Sequence, residues 1–131
     1  MSLFSALLAC HSTAEPESRA RALLQQDRRE EAAEVLASVP FDQRSAEDHL
    51  VAGTLLVEGG QPELGLAAFE AGFGAQPLPE LALNICIVRS GLGEGALEAC
   101  QRAIEVAPTE AGAFLYLGHA ASAEGSHEAG L

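Results

Sequence analysis

The chain has 131 residues, enough for one compact domain, and 48% of them are hydrophobic, so it can bury a core. Its apolar surface comes mainly from Ala and Leu, with no Trp, one Tyr and five Phe, a balance that favours helices over strands. A formal net charge of −12 argues against nucleic acid as a ligand and against an electrostatic hold on anionic lipid. The acidic residues are spread along the chain rather than gathered in a tail, as expected of a solvated surface.

In chain order, Met1 to Cys10 is apolar and leads into the polar stretch His11 to Pro16. Leu7-Leu8-Ala9-Cys10 resembles the lipobox of bacterial lipoproteins. The resemblance implies that Cys10 is lipidated and becomes the new N-terminus, with residues 1–15 as signal and tether ahead of a folded domain over 16–131. Against it, no Lys or Arg precedes the apolar run, and nine residues are short for a full signal. A start further upstream would account for both. An apolar N-terminal helix packed on the domain and a disordered tail are the two other readings.

Hydrophobic periodicity predicts helices over about 16–26, 29–38, 45–58, 62–74, 79–90, 94–106 and 110–124. No run is long enough to span a membrane. The second helices share a phrase. Gly60 opens one copy, followed by Gly65, Phe69 and Pro77; Gly91 opens another, followed by Ala96, Cys100 and Pro108; Asp27 opens a weaker one with Ala32, Leu36 and Pro40. The turn ends one helix, the small residue allows close approach of the next, the larger residue fills the space one turn on, and proline stops the helix. The first helices align too. His49-Leu50-Val51-Ala52-Gly53 matches Glu80-Leu81-Ala82-Leu83-Asn84 and Phe114-Leu115-Tyr116-Leu117-Gly118. The turns at Asp27, Gly60, Gly91 and Gly125 are spaced by 33, 31 and 34 residues.

Over about residues 16–131 the chain therefore resembles the tetratricopeptide-repeat family, whose period is about 34 residues. The resemblance implies an all-α fold: a right-handed α-solenoid of antiparallel helix pairs, with about three and a half repeats. The last helix would act as the end cap that such arrays need, or a partner would supply the helix to follow it.

In this family the first helix of each repeat lines a concave groove. The resemblance places Leu50, Val51, Thr54, Val57, Leu81, Ile85, Val88, Arg89, Leu115, Tyr116 and His119 on that surface, with Glu17, Ser18, Arg21 and Ala82 beside them. The middle of this set is aliphatic, which points to an amphipathic helix or extended apolar segment as ligand rather than a charged tail. The opposing expectation is that Leu50, Leu81 and Leu115 are intramolecular core.

The cysteines number three, an odd count that gives no disulfide framework, and Cys86 and Cys100 are expected to be reduced and buried as small hydrophobes. Gly91-Leu92-Gly93-Glu94-Gly95 imitates a phosphate loop, but it lacks the preceding strand and the Lys-Ser/Thr that follows, and Glu94 would repel phosphate. His11, His49, His119 and His127 form no pair at metal-ligand spacing. No nucleophile has a base beside it, so no catalysis and no cofactor are expected.

The reading is an interaction module, a scaffold or assembly factor that binds another protein. A constitutive subunit docked through its C-terminal end, around Phe114, Leu117 and Ala121, is the alternative. A small-molecule substrate is not expected. Membrane attachment would follow only from lipidation of Cys10, which would place the protein in a bacterial outer membrane or periplasm; otherwise it would be cytoplasmic.

Overall fold

A computed structural model describes residues 16–109 and 111–129, with side chains described over 20–109 and 111–123. Among them are seven α-helices and no strand: α1 Pro16–Gln25, α2 Arg29–Ala37, α3 Ala46–Glu58, α4 Pro62–Ala75, α5 Pro79–Leu92, α6 Ala96–Val106 and α7 Ala111–Ala129. One 3-10 turn, Phe41–Gln43, lies between α2 and α3.

Local chemistry sets the helix ends. The Ser45 side chain accepts a hydrogen bond from the Asp48 backbone N–H at 3.1 Å, capping α3. Pro62 and Pro79 stand in the first turns of α4 and α5, where their missing N–H costs nothing. Gly93 follows α5 with φ of 72°, a left-handed value that glycine adopts without strain. Arg44 closes the end of α2: its guanidinium donates to the carbonyls of Leu36 and Val39, each at 3.0 Å. The Leu36 carbonyl also accepts from the Val39 N–H at 3.0 Å, so the cation adds a second bond there and supplies one to the Val39 carbonyl just beyond the helix.

Each helix packs on its chain neighbour, and α1, α3, α5 and α7 also pack on one another in sequence. The core accordingly forms three successive layers. Ala20, Ala32, Leu36, Val51 and Ala52 make the first. Ala46, Leu50, Phe69, Leu81, Ile85, Val88 and Ala99 make the second. Ala82, Cys86, Cys100, Ala103 and Ala113 make the third. Leu81 and Ile85 are fully buried, and each such side chain stabilises by about 1.5–3 kcal/mol.

The antiparallel pair α3/α4 shows how small residues set the spacing. A Cβ on Gly53 would lie 2.4 Å from Phe69 Cε1, one on Gly65 would lie 2.9 Å from the Gly53 carbonyl, and one on Gly72 would lie 2.8 Å from His49 Cβ. In the next pair, α5/α6, the corresponding side chains are Cys86 and Cys100, joined as a disulfide with Cα atoms 4.6 Å apart. This corrects two expectations. The cysteines are bonded rather than reduced, because the small-against-large contact of α3/α4 is here made by two residues of intermediate size. The register of α5 is also two residues from the one expected: Cys86, not Asn84, occupies the place of Gly53. The aliphatic run of α5 offers no aromatic or glycine to fix that register from sequence.

Candidate interaction surface

Packing divides the eleven expected groove residues. Leu50, Val51, Leu81, Ile85 and Val88 are buried in the core layers. For these five, intramolecular packing replaces an open groove: neighbouring helices approach closely enough over small residues to cover the aliphatic stripe. Thr54 is half-buried, and its hydroxyl donates to the Leu50 carbonyl at 2.8 Å. Val57 packs on α4, where its Cγ2 would stand 2.5 Å from a Cβ at Gly65.

Arg89 faces α4 and α6 instead. It lies 3.5 Å from a Glu70 carboxylate oxygen, which Arg102 approaches at 3.4 Å, and Arg102 also sits over the Phe73 ring at 4.6 Å. Glu70, Arg89 and Arg102, with Glu98, Gln101 and Glu105, line an open polar depression of about 480 Å³. Three carboxylates against two guanidinium groups leave it acidic.

What remains of the expected groove is a notch of about 150 Å³ among α1, α3 and α5, lined in part by Arg21, Leu24, Thr54, Glu80 and Asn84. Arg21 Nη2 donates to both oxygens of Glu80, at 2.6 and 2.8 Å, and Nη1 lies 3.8 Å from Glu47. The ion pair thus crosses from α1 to α5 over the notch. Glu17 and Ser18 lie in α1, outside the residues whose side chains are described, and Cys10 lies outside the described residues altogether.

Two of the four exposed large hydrophobic residues among the described ones lie side by side on α7, the others being Phe41 and Leu64. Ala113 and Ala120 are buried, and Tyr116 and Leu117 pack on the third core layer. Phe114 is 51% exposed and Leu115 57% exposed. His119 is exposed, edge-on to Tyr116 with ring centroids 6.2 Å apart. Along the helix Gly118 stands where Gly53 and Cys86 stand on α3 and α5, yet a Cβ placed on it would meet nothing within 4 Å. Phe114 correspondingly takes the place of His49 and Ala82, both buried. The face that α4 covers on α3, and α6 covers on α5, is open on α7 among the described residues.

His49 is the buried ionisable ring nearest the α2–α3 loop. Its Nδ1 has no hydrogen-bond partner among the described residues, and its ring meets Phe41 edge-on at 4.7 Å. Burial lowers its pKa from the ordinary value, the Arg44 charge lowers it further, and a hydrogen bond with the Phe41 backbone opposes both. Among the described residues no group of three or more His, Cys, Asp or Glu is placed to hold a metal ion, and no helix is long and apolar enough to cross a membrane.

The disulfide was the feature least visible in sequence, whereas an open C-terminal end around Phe114, Leu117 and Ala121 was among the alternatives the sequence offered. The signal for the first was the shared register of Gly53/Phe69 and Cys86/Cys100, which the two-residue displacement of α5 obscured. The sequence matches no protein-family model, and no curated protein resembles it at a significant level.

Proposed function

We propose that this protein is an interaction module of the tetratricopeptide-repeat type, a right-handed α-solenoid that docks another protein on the open face of α7. The observation that carries the reading is the exposure of Phe114 on a helix whose counterparts at this position, His49 on α3 and Ala82 on α5, are buried, with Leu115 exposed beside it. Paired exposed large apolar side chains mark a docking surface better than a notch floored by buried residues and crossed by an ion pair. Scaffold and constitutive subunit are both served by such an end. No catalytic role is proposed.

The test compares surfaces by capture of partners from the native host. Phe114→Ser with Leu115→Ser removes the α7 face without touching the core, so helicity and Tm should stay near wild type while capture falls. Thr54→Arg with Asn84→Arg obstructs the notch. Loss of capture by the second pair alone would overturn the α7 reading in favour of groove binding.

The disulfide supports a second element of the proposal: residence in an oxidising compartment such as the bacterial envelope. With Cys86 and Cys100 bonded, Cys10 is the remaining cysteine of the chain, and lipidation there would tether the module to a membrane. Intact mass of the protein from its host decides this. Loss of residues 1–9 with added acyl chains is expected, and an unmodified full-length mass would remove the tether from the proposal.

A further inference from the structure

The α7 face carries a knob and a hole on one side of a single helix. Phe114 projects from it, and Gly118, four residues on, leaves open space where a side chain would be. Residues four apart lie one above the other on a helix. We propose that this face is the two-fold interface of a homodimer, in which the α7 helices of two copies pack antiparallel and Phe114 of each chain seats on Gly118 of the other. The proposal rests on α7 as the docking surface and adds the occupant.

Two observations select a second copy. The first is a precedent inside the fold. In the antiparallel α3/α4 pair, the Phe69 ring lies on Gly53 and Gly72 lies against His49. The covering helix α4 thus sets a small residue opposite His49 and a large one opposite Gly53. Read antiparallel, α7 of a second copy offers the same order: Gly118 opposite Phe114, and Phe114 opposite Gly118. A two-fold interface demands this reciprocity, since whatever contact one chain makes the other must return.

The second observation is charge. The chain has a formal net charge of −12, yet residues 111–123 contain no Asp, Glu, Lys or Arg. Two copies repel each other over most of their surface. The Phe114 and Gly118 contacts themselves bring no like charges together, with Glu110 and Glu124 flanking them only at the ends of this stretch of sequence, and Leu115 widens the apolar contact. A single helix pair makes a small interface, so the dissociation constant should be on the order of micromolar or weaker.

Sedimentation equilibrium of the full chain over a wide concentration range tests this directly. A monomer–dimer equilibrium is expected. Gly118→Leu fills the hole and Phe114→Ser removes the knob, and each should weaken dimerisation at least about tenfold with helicity and Tm retained. Leu64→Ser, at an equally exposed site on α4, should leave it unchanged. For orientation, chains carrying F114C and chains carrying G118C are mixed in a Cys10→Ser background under mild oxidation. Mixed disulfide dimers should exceed either self-linked product. A dimer indifferent to both substitutions, or preferential self-linking of F114C, overturns the proposal. A chain that stays monomeric but loses partner capture with Phe114→Ser overturns the second copy and leaves the docking surface standing. A monomer whose capture is also intact in that variant overturns both.

Discussion

The ring of Phe69 lies directly on the backbone of Gly53: a Cβ at that glycine would stand 2.4 Å from Phe69 Cε1. One helix pair later the same contact is made covalently by Cys86 and Cys100, and on α7 no described residue lies against Gly118. One structural position therefore reports on the fold, its staple and its open end.

The glycines separate packing from helix propensity. Gly53→Ala forces the Phe69 ring to move within a filled core and should destabilise by about 1–3 kcal/mol despite the better helix former. Gly91→Ala, in α5 with nothing within 4 Å of its Cβ, should stabilise by roughly 0.5–1 kcal/mol. Urea unfolding of the two variants should give midpoint changes of opposite sign. Equal signs would mean that Phe69 does not press on Gly53.

The disulfide joins residues 14 apart in sequence. Closing a loop of that size restricts the unfolded chain by about 3 kcal/mol. Reduction, or Cys86→Ser with Cys100→Ser, should lower stability by about that amount while leaving the helices assembled. Maleimide labelling in denaturant should count no thiol before reduction and two after when Cys10 is lipidated, and one before and three after when it is not. Labelling of Cys86 and Cys100 before reduction, in protein isolated under thiol-trapping conditions, would show that the bond does not form in its host.

His49 should make stability depend on pH in one direction. Its pKa in the folded state lies below the ordinary 6.5, so the folded chain binds fewer protons than the unfolded one as pH falls below that value. Stability from this group is fully present above about pH 6.5 and is lost as pH falls toward the lowered folded pKa, below which it changes no further. Chemical denaturation at pH 8 and pH 5 should show a larger loss in wild type than in His49→Gln. An identical loss in both would remove His49 as the source.

Arg44 ties the loop between the first two helix pairs to the end of α2. Its two hydrogen bonds go to the Leu36 and Val39 carbonyls, so Arg44→Ala should cost about 1.5–3 kcal/mol. Hydrogen exchange should then speed up in α2 first and in α6 least, whereas uniform acceleration would mean that the loop does not act locally.

Much of the fold was written in local chemistry. Gly60, Pro77 and Pro108 mark turns and stops by backbone rules that need no tertiary contact, and the seven helices fall within a few residues of the expected spans; the turns expected at Gly91 and Gly125 do not form there, since Gly91 lies inside α5, with Gly93 taking the left-handed turn two residues on, and α7 runs through Gly125 to Ala129. The site was less legible. Leu50, Leu81 and Ile85 read as a groove because an aliphatic stripe looks the same whether solvent or a neighbouring helix lies against it. Distance between helices decides which, and small residues such as Gly53, Gly65 and Gly72 bring the helices close enough to bury it.

By itself, then, the sequence determined the helices to within a few residues and the recurrence of small against large residues, since each depends on spacing along the chain. Tertiary structure alone decided the register that pairs Cys86 with Cys100, and which of the two expected surfaces, the aliphatic stripe or the α7 end, stays exposed. Those depend on which helix lies across from which, a relation between residues far apart in the chain that periodicity cannot encode.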